Sequence, residues 1–330
     1  ALAIGFDYRK EELNDQPQQV LFSGDILGGG GALPPTKADR NVKAIFGEFG
    51  IPVLTNLEAQ LAIRYDKYSD FGNTTNPKVA VRWTPVKSLL VRGSYNTGFR
   101  APTLPELFTS NFRGNTADVH SDPARCPNSV PRGPYVNEGL ECDAQFSNLA
   151  GGNTTLVPEE SKQWTLGFVV EPNNNMSFGL DFWGIKREKT IGTLGDTTLF
   201  DNFAKYDALG KFRRYARLAN GRCANDDPAF PTPANVPCAI DVVVQTSDNL
   251  GTYKTSGVDL SISTKFNTAM GNVRVNLDGT YISKYDYQTE TGGDYVNNAD
   301  GRRNLGGQST RNGSFGLLYK PSETFQAYLR

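Results

Sequence analysis

The stretch from Asn76 to Phe108, NPKVAVRWTPVKSLLVRGSYNTGFRAPTLPELF, decides the fold of this chain. Successive side chains of a β-strand point to opposite faces of a sheet. The first half of the stretch alternates in this way, with Val79, Val81 and Trp83 opposite Lys78 and Arg82. The second half alternates again after a predicted turn at 85–88, with Arg92 on the polar side. The pattern predicts an antiparallel hairpin with one apolar face and one wet face.

The same alternation recurs along the chain and predicts about 11 strands. Long polar connections, above all about 101–161 and 189–250, alternate with short turns, and 69–75 is predicted as a modest loop. Outer-membrane barrels have long extracellular loops and short periplasmic turns, and their spanning strands need only roughly 9–11 residues. We therefore predict an all-β fold, an antiparallel transmembrane β-barrel that occupies residues 1–330.

Composition excludes several classes of function. The net charge is −1 and the pI is about 6.0, so there is no basic surplus to neutralise a nucleic-acid backbone. The only histidine, His120, cannot supply most catalytic triads or histidine-rich metal sites. We expect no enzyme activity, no cofactor and no metal site.

The four cysteines fall in two close pairs within the long polar connections, Cys126 with Cys142 and Cys223 with Cys238. This spacing favours two local disulfides and an oxidising compartment. The alternatives are reduced thiols or a zinc site. Zinc is disfavoured because the spacing of a zinc knuckle is absent.

Two segments resemble a known family. GFRAPTLPELF, from Gly98 to Phe108, looks like the barrel signature of TonB-dependent outer-membrane receptors, through Gly98, Phe99, Arg100, Ala101 and Pro102. GGNTTLVPEES, 151–161, is similar to a second family segment, with Thr154 in the place of a proline. The resemblance implies a barrel of about 22 strands in the bacterial outer membrane, crossing it many times. Such a receptor imports a scarce ligand, a ferric siderophore or similar, with energy from the TonB complex.

The resemblance also implies that the chain is incomplete at both ends, because about 11 strands are half of the expected barrel and the family's plug domain has no counterpart. If the short turns are periplasmic, the first and the last visible strand both run outward. A barrel with an even number of strands would then need an odd number, at least one, beyond Arg330. The expected partners are outer-membrane lipid and lipopolysaccharide, the TonB complex through the plug, and a small-molecule ligand.

Candidate site residues lie in the loops and on the polar face. The loop side chains able to stack on a ligand or pair with an anionic one are Phe108, Phe112, Arg113, Tyr135, Tyr206, Phe212, Arg213, Arg214 and Tyr215. Packing of these loops against lipopolysaccharide is the alternative. Inward charges, with Arg82, Arg92, Asp181 and Asp259 as the main candidates, either form a wet lumen wall or pair with the plug. Arg100 is expected to anchor carboxylates rather than ligand.

Two rival functions remain open from the sequence. The first is a plug-free, porin-type passive channel, which would share the strand pattern. The second is a soluble or surface-attached β-rich adhesin, which would share the alternation but not the regular change of connection length.

Overall fold

The computed structural model describes residues 1–23, 31–268, 271–297, 311–322 and 325–329. Eleven strands follow one another in a single antiparallel sheet, in chain order. They are β1 Leu2–Asp15, β2 Thr36–Leu54, β3 Leu57–Tyr68, β4 Gly72–Val86, β5 Leu89–Arg100, β6 Glu159–Asn173, β7 Met176–Glu188, β8 Tyr253–Thr268, β9 Gly271–Tyr287, β10 Arg311–Ser322 and β11 Phe325–Leu329. The predicted all-β antiparallel fold and its strand count are confirmed. No pairing between β1 and β11 closes the sheet within the described residues.

Register aligns the apolar side chains on one face of this sheet. Leu61, Val79, Tyr95 and Trp164 are direct cross-strand neighbours on β3 to β6, and all four are exposed. On β1, Phe6 belongs to that strand's own alternating set of apolar residues and is 70% exposed. An extended apolar surface of this kind is unfavourable in water and is the usual outer face of a membrane barrel.

The connections differ sharply between the two edges of the sheet. Among the described residues, one edge carries the tight turns 55–56, 87–88 and 174–175, and the other carries the long connections 101–158 and 189–252 together with the short turn 69–71. Two predicted connections were too long. The turn predicted at 85–88 is 87–88 because β4 continues to Val86, and the loop predicted at 69–75 is a turn at 69–71. Gly72, with φ +107°, allows the chain to reverse there, and Tyr68 pairs directly with it.

The remaining elements are short and lie mainly in the long connections. The helices are α1 Gln19–Ser23, α2 Leu104–Phe108, α3 Glu138–Glu141, α4 Asp196–Asp201 and α5 Phe203–Ala208, with a 3₁₀ turn at Pro127–Ser129. The short strands are Phe112–Asn115, Ser147–Ala150, Ile191–Gly192, Phe212–Arg214, Ile240–Val244, Asp248–Asn249 and Val296–Asn297. Among the described residues, no helix has the length and apolar character needed to cross a bilayer.

Candidate functional site

The two longest connections, 101–158 and 189–252, fold together as one unit, here called the loop domain. Its backbone framework is a four-stranded sheet in the order Phe212–Arg214, Ile240–Val244, Ser147–Ala150, Phe112–Asn115. The two central strands come from different loops and pair in parallel, Val243 with Asn148 and Val244 with Leu149. Parallel pairing requires segments that are remote in sequence, so neither loop can form this sheet alone.

Each loop carries one disulfide. Cys126 is bonded to Cys142 and Cys223 to Cys238, with the Cα atoms 5.6 Å apart in both pairs. The predicted pairing is confirmed. All four cysteines are buried, so the bridges brace the inside of the loop domain rather than its surface.

Arg125 fastens the first loop to the second. Its side chain is only 1% exposed and is paired with Glu141 of its own loop. Its Nη1 donates hydrogen bonds to Thr232 Oγ1 at 3.0 Å and to the Pro237 carbonyl at 3.1 Å, both in the second loop. A buried guanidinium is tolerated only when its donors are satisfied, and here both loops supply the acceptors.

A second buried ion pair runs in the opposite direction. Arg214 of the second loop donates to both carboxylate oxygens of Asp122 in the first loop, at 2.7 and 3.1 Å. The Asp122 side chain is fully buried. Arg214 also donates to the Cys238 carbonyl at 2.7 Å. Arg214, predicted as a ligand contact, therefore uses its hydrogen bonds inside the loop domain, because a bidentate carboxylate lies within its reach.

Two further predicted ligand contacts are buried in a shared apolar core. Tyr206 and Phe212 are 3% and 4% exposed, and they pack with Phe146, Leu194, Leu199, Ile240 and Val243. Neither side chain can reach a ligand in this conformation. Burial, together with the hydrogen bond to Glu290, raises the pKa of the Tyr206 hydroxyl. These aromatic residues were expected at a loop tip, but apolar burial favours a core wherever two loops can share one.

The histidine that the sequence singled out lies between the two loops. The His120 ring stacks on Phe200 with the centroids 4.1 Å apart, and its Nε2 lies 3.4 Å from Asp196 Oδ2. Burial alone would raise the pKa of the Asp196 carboxyl, but the backbone hydrogen bonds from Asp118 and Thr197, together with the nearby His120 ring, outweigh it and lower that pKa. His120 is thus a structural contact between the loops, with a side chain 11% exposed.

Phe108 and Arg213 meet in one cavity at the base of the loop domain, here called the rim pocket. It has a volume of about 440 Å³, and its walls come from both loops. Apart from Arg213, its lining side chains are apolar or neutral: Leu107, Phe108, Thr109, Ser110, Asn111, Leu149, Asn153, Thr154, Val244 and Thr246. Within the described ranges, no hydrogen-bond acceptor is paired with the Arg213 guanidinium.

The family-signature residues place Phe108 at this pocket. Gly98, Phe99 and Arg100 end β5, and Ala101 and Pro102 begin the first loop. Arg100 donates to Glu106 at 3.0 and 3.1 Å and to Glu159 at 2.8 Å, so it anchors carboxylates as expected. Thr103 caps α2, and the Glu106 side chain completes the capping box. Phe108 is the last residue of that short helix.

The groups that contact the Glu106 carboxyl lower its pKa. Burial alone would raise the pKa of the Glu106 carboxyl, but the hydrogen bonds from Arg100 and from the Thr103 backbone outweigh it and lower that pKa. Glu106 therefore stays ionised, and it holds both α2 and the end of β5.

The other predicted loop contacts lie elsewhere. Arg113 is paired with Asp241 at 3.0 and 3.2 Å across the loop sheet. Phe112 begins the outer strand of that sheet and pairs with Ala150. Tyr135 and Tyr215 line a separate cavity. Of the nine predicted ligand residues, the structure brings Phe108 and Arg213 together in the rim pocket and places the other seven elsewhere in the loop domain.

The four predicted lumen residues lie in one row across the polar face. Arg82 pairs with Arg92 between β4 and β5, and Asp181 pairs with Asp259 between β7 and β8. Gly167 of β6 lies between the two halves of the row, opposite both Arg92 and Asp181. Glu58 extends the row at the Arg82 end. Sequence alternation predicted the face, and only the register shows that these residues are neighbours.

Gly167 allows one ion pair to cross a whole strand. Arg92 donates to Asp181 at 2.9 and 2.7 Å, although the two residues are on strands separated by β6. A Cβ atom at Gly167 would lie 2.0 Å from Asp181 Oδ1 and 2.8 Å from Arg92 Nε. The pairing also draws Arg92 away from Arg82, which relieves the repulsion between like charges directly opposite each other. Arg82 has no ion-pair partner among the described residues and lines a cavity of about 590 Å³ with Arg92.

Asp122, Arg125 and Glu141 were missed by the sequence reasoning. Each is an ordinary charged residue in a polar loop, and no local pattern marks it as buried. The only available signal was proximity to the cysteines, since a disulfide-braced loop has an inside that needs polar partners.

The fold and the paired loops define a class: an antiparallel membrane-type barrel wall whose long loops form a braced cap on one edge. The family model "TonB dependent receptor-like, beta-barrel" matches residues 1–330, and the chain belongs to this family. The resemblance seen in the sequence is confirmed. No curated protein matches the chain.

Solved structures with the same fold are siderophore receptors and a transporter. The ferric enterobactin receptor PfeA of Pseudomonas aeruginosa, in a mutant form, is similar with a TM-score of 0.60 and 12% identity, covering 98% of this chain and 36% of that one. The siderophore receptor PirA of Acinetobacter baumannii gives 0.55 and 13%, covering 98% and 46%. The outer membrane transporter YddB of Escherichia coli gives 0.50 and 11%, covering 87% and 32%. The chain thus spans 32–46% of the length of these proteins, and identities this low show the fold alone.

Proposed function

We propose that this chain forms part of the barrel of an outer-membrane receptor that imports a ferric siderophore, or a similar anionic ligand, with energy from the TonB complex. Membership of the family supports the class of transport. Neighbours named as ferric enterobactin and siderophore receptors support the class of ligand. The exposed apolar face of the sheet supports contact with outer-membrane lipid and lipopolysaccharide.

The rim pocket carries the proposal. Arg213 offers a guanidinium that has no acceptor within the described part of the chain, beside Phe108 at the base of the loop domain. A cation next to an aromatic ring suits a ligand that is both anionic and planar, as the iron-binding groups of many siderophores are. Side chains with hydroxyl and amide groups, among them Thr109, Ser110 and Asn153, complete the lining with neutral hydrogen-bonding partners.

A plug domain inside the barrel lumen would take part in the energy-coupled step of import. In receptors of this family a plug domain fills the barrel. Arg82 and Glu58 carry charges on the polar face of the sheet, which such a plug would contact. Arg92 and Asp181 satisfy each other and are poorer candidates for plug pairing. We therefore propose Arg82 first and Asp259 second as the lumen residues that meet the plug, since among the described residues the Asp259 side chain accepts one neutral hydrogen bond, from Thr280.

Binding and uptake of ⁵⁵Fe-loaded enterobactin by iron-limited cells that express the whole receptor test this proposal. We expect Arg213→Gln to weaken binding by about tenfold to a hundredfold, the usual range for losing a charged hydrogen bond. The matched control is Arg132→Gln, which alters an exposed arginine of the same domain outside the rim pocket.

Energy coupling is tested in the same cells by deleting the TonB gene. Uptake should then stop while surface binding persists. Uptake that continues without TonB would support a passive channel instead. Binding unaffected by Arg213→Gln, with enterobactin and with a hydroxamate siderophore, would remove the rim pocket from the proposal.

A further inference from the structure

A second cavity lies at the opposite end of the loop domain from the rim pocket, here called the distal pocket. The parallel strands Ser147–Ala150 and Ile240–Val244 run from one cavity to the other. The distal pocket contacts their first residues, and the rim pocket contacts Leu149 and Val244 near their ends. Its volume is about 380 Å³, within the range of small-molecule sites.

The distal pocket is lined by negatively charged side chains, whereas the one charged side chain of the rim pocket is an arginine. No lysine or arginine is among its lining residues, which include the carboxylates of Glu141, Asp227 and Asp241. Two of these are already neutralised, Glu141 by Arg125 and Asp241 by Arg113. An anionic ligand is disfavoured because it would meet carboxylates and no cationic side chain. Among the described residues, a cationic ligand would find one lining carboxylate without an ion pair, that of Asp227.

Two tyrosines and several amides supply the remaining surface. Tyr135 and Tyr215 present aromatic rings, and Asn137 and Asn225 present amide groups. Gln145 also lines the pocket, but its Nε2 already donates to the Thr116 and Ala117 carbonyls. Aromatic rings pack against the apolar C–H faces of a sugar ring, while amides and carboxylates pair with its hydroxyl groups, which both donate and accept. Tyrosine rings combined with amides and carboxylates therefore suit a ligand that is rich in hydroxyl groups.

The walls of the distal pocket are held in place before any ligand binds. The Tyr135 carbonyl accepts a hydrogen bond from buried Arg125 at 2.7 Å, and its ring lies over that guanidinium, 5.4 Å from the centroid. The Tyr215 backbone N–H donates to the Ala239 carbonyl at 3.0 Å, next to Cys238. Both tyrosines are thus fixed near a disulfide or a buried ion pair, which reduces the entropy lost on binding.

We propose that the distal pocket binds a neutral saccharide, at a site separate from the rim pocket. The side chain of Tyr215, with the residue 39% exposed, is the main stacking surface, and Asn225 is the main partner for hydroxyl groups. Such a sugar could come from the O-chain of lipopolysaccharide on the same cell or from free oligosaccharide in the medium. Sugar binding at the distal pocket does not depend on siderophore import.

Saturation-transfer NMR on the whole receptor tests the proposal, in a detergent without a sugar headgroup. The probes are a neutral O-chain oligosaccharide released from the host's lipopolysaccharide and, separately, maltotriose and cellobiose. We expect saturation transfer to at least one of them, and the one that binds identifies the source. Tyr215→Ala should weaken that binding by about tenfold, the effect of losing an aromatic contact.

Matched variants separate a binding role from a folding defect. Asn225→Leu removes an exposed amide that lines the pocket, and it should weaken sugar binding while leaving both disulfides intact. Phe108→Ala, in the rim pocket, should leave sugar binding at the wild-type level. Absence of transfer from every sugar, wild-type binding by Tyr215→Ala, or binding of spermidine in place of the sugars would each overturn the proposal.

Discussion

The barrel sheet and the loop domain use the same kinds of side chain in opposite places. On the barrel sheet the apolar side chains lie on one face and are exposed, and Arg92 pairs with Asp181 on the opposite, polar face, where the arginine side chain is 52% exposed. In the loop domain the apolar side chains form a closed core, and Arg125 pairs with Glu141 where both side chains are at most 5% exposed.

The difference shows that an arginine–carboxylate pair has no fixed energetic value. An exposed pair is screened by water and contributes about 0–1 kcal/mol. A buried pair whose partner is removed leaves an uncompensated charge, which costs about 3–5 kcal/mol. The Arg92–Asp181 pair of the barrel sheet should therefore be lost at little cost, whereas the Arg125–Glu141 pair of the loop domain should not.

The largest effect is expected from Arg125→Met. The substitution leaves Glu141 buried without its cation and removes the hydrogen bonds to Thr232 and Pro237. We expect the loop domain to lose about 3–5 kcal/mol of stability, measured by hydrogen exchange of the strand Ile240–Val244 in the whole receptor. Arg132→Met is the matched control. Equal protection in both variants would show that Arg125 does not couple the loops.

The next effect is expected from breaking one disulfide with the pair Cys223→Ser and Cys238→Ser. Closing a loop of this length is worth about 3 kcal/mol in the chain-entropy model. Because the two loops share a core, we expect faster exchange not only at Phe212–Arg214 but also at Ser147–Ala150 in the other loop. Faster exchange confined to the second loop would contradict a shared domain.

Acid should weaken the loop domain before strands β3 and β4 of the barrel sheet. Burial opposes ionisation of Asp196 and Asp226 in the loop domain and of Glu290, which accepts hydrogen bonds from Lys205 and Tyr206 of that domain. Hydrogen bonds from their partners outweigh burial and lower all three pKa values. A carboxyl with a lowered pKa stabilises the folded state above its ordinary pKa, near 3.8 for Asp and 4.5 for Glu, and loses that contribution as the pH falls below it.

Hydrogen exchange between pH 6 and pH 3, corrected for the intrinsic rate, measures this acid effect. Protection at Ile240–Val244 should fall while protection in β3 and β4 stays constant. Asp196→Asn is the corresponding variant, and it should flatten part of the pH dependence. A parallel decline in both regions would assign the effect to the whole molecule.

The smallest effect is expected from Arg92→Met on the barrel sheet. The pair with Asp181 is largely solvated, so we expect a change of about 1 kcal/mol or less, measured by the temperature at which the barrel loses its heat-resistant mobility on gels. Gly167→Leu should do more damage, because its side chain would occupy the space between Arg92 and Asp181. A larger loss from Arg92→Met than from Gly167→Leu would reverse this ranking.

Much of the barrel could be predicted because its information is local. The alternation of Val79, Val81 and Trp83 with Lys78 and Arg82 depends only on neighbours in sequence, and the structure keeps that pattern on β4. The strand count and the disulfide pairs were predicted correctly for the same reason. Strand ends were less accurate, since β4 and β5 extend through polar residues wherever the adjacent strand offers a pairing partner.

The sequence by itself determined the sheet, its two faces, its family signature and its cysteine pairs, because each follows from spacing over a few residues. Only the tertiary structure decided which loop residues are buried in a core and which line a pocket. Phe212 and Arg213 are adjacent in sequence, yet one is buried in the core and the other lines the rim pocket. The strand Phe212–Arg214 pairs with Ile240–Val244 and through it with the first loop, and this long-range pairing sets which side each residue faces.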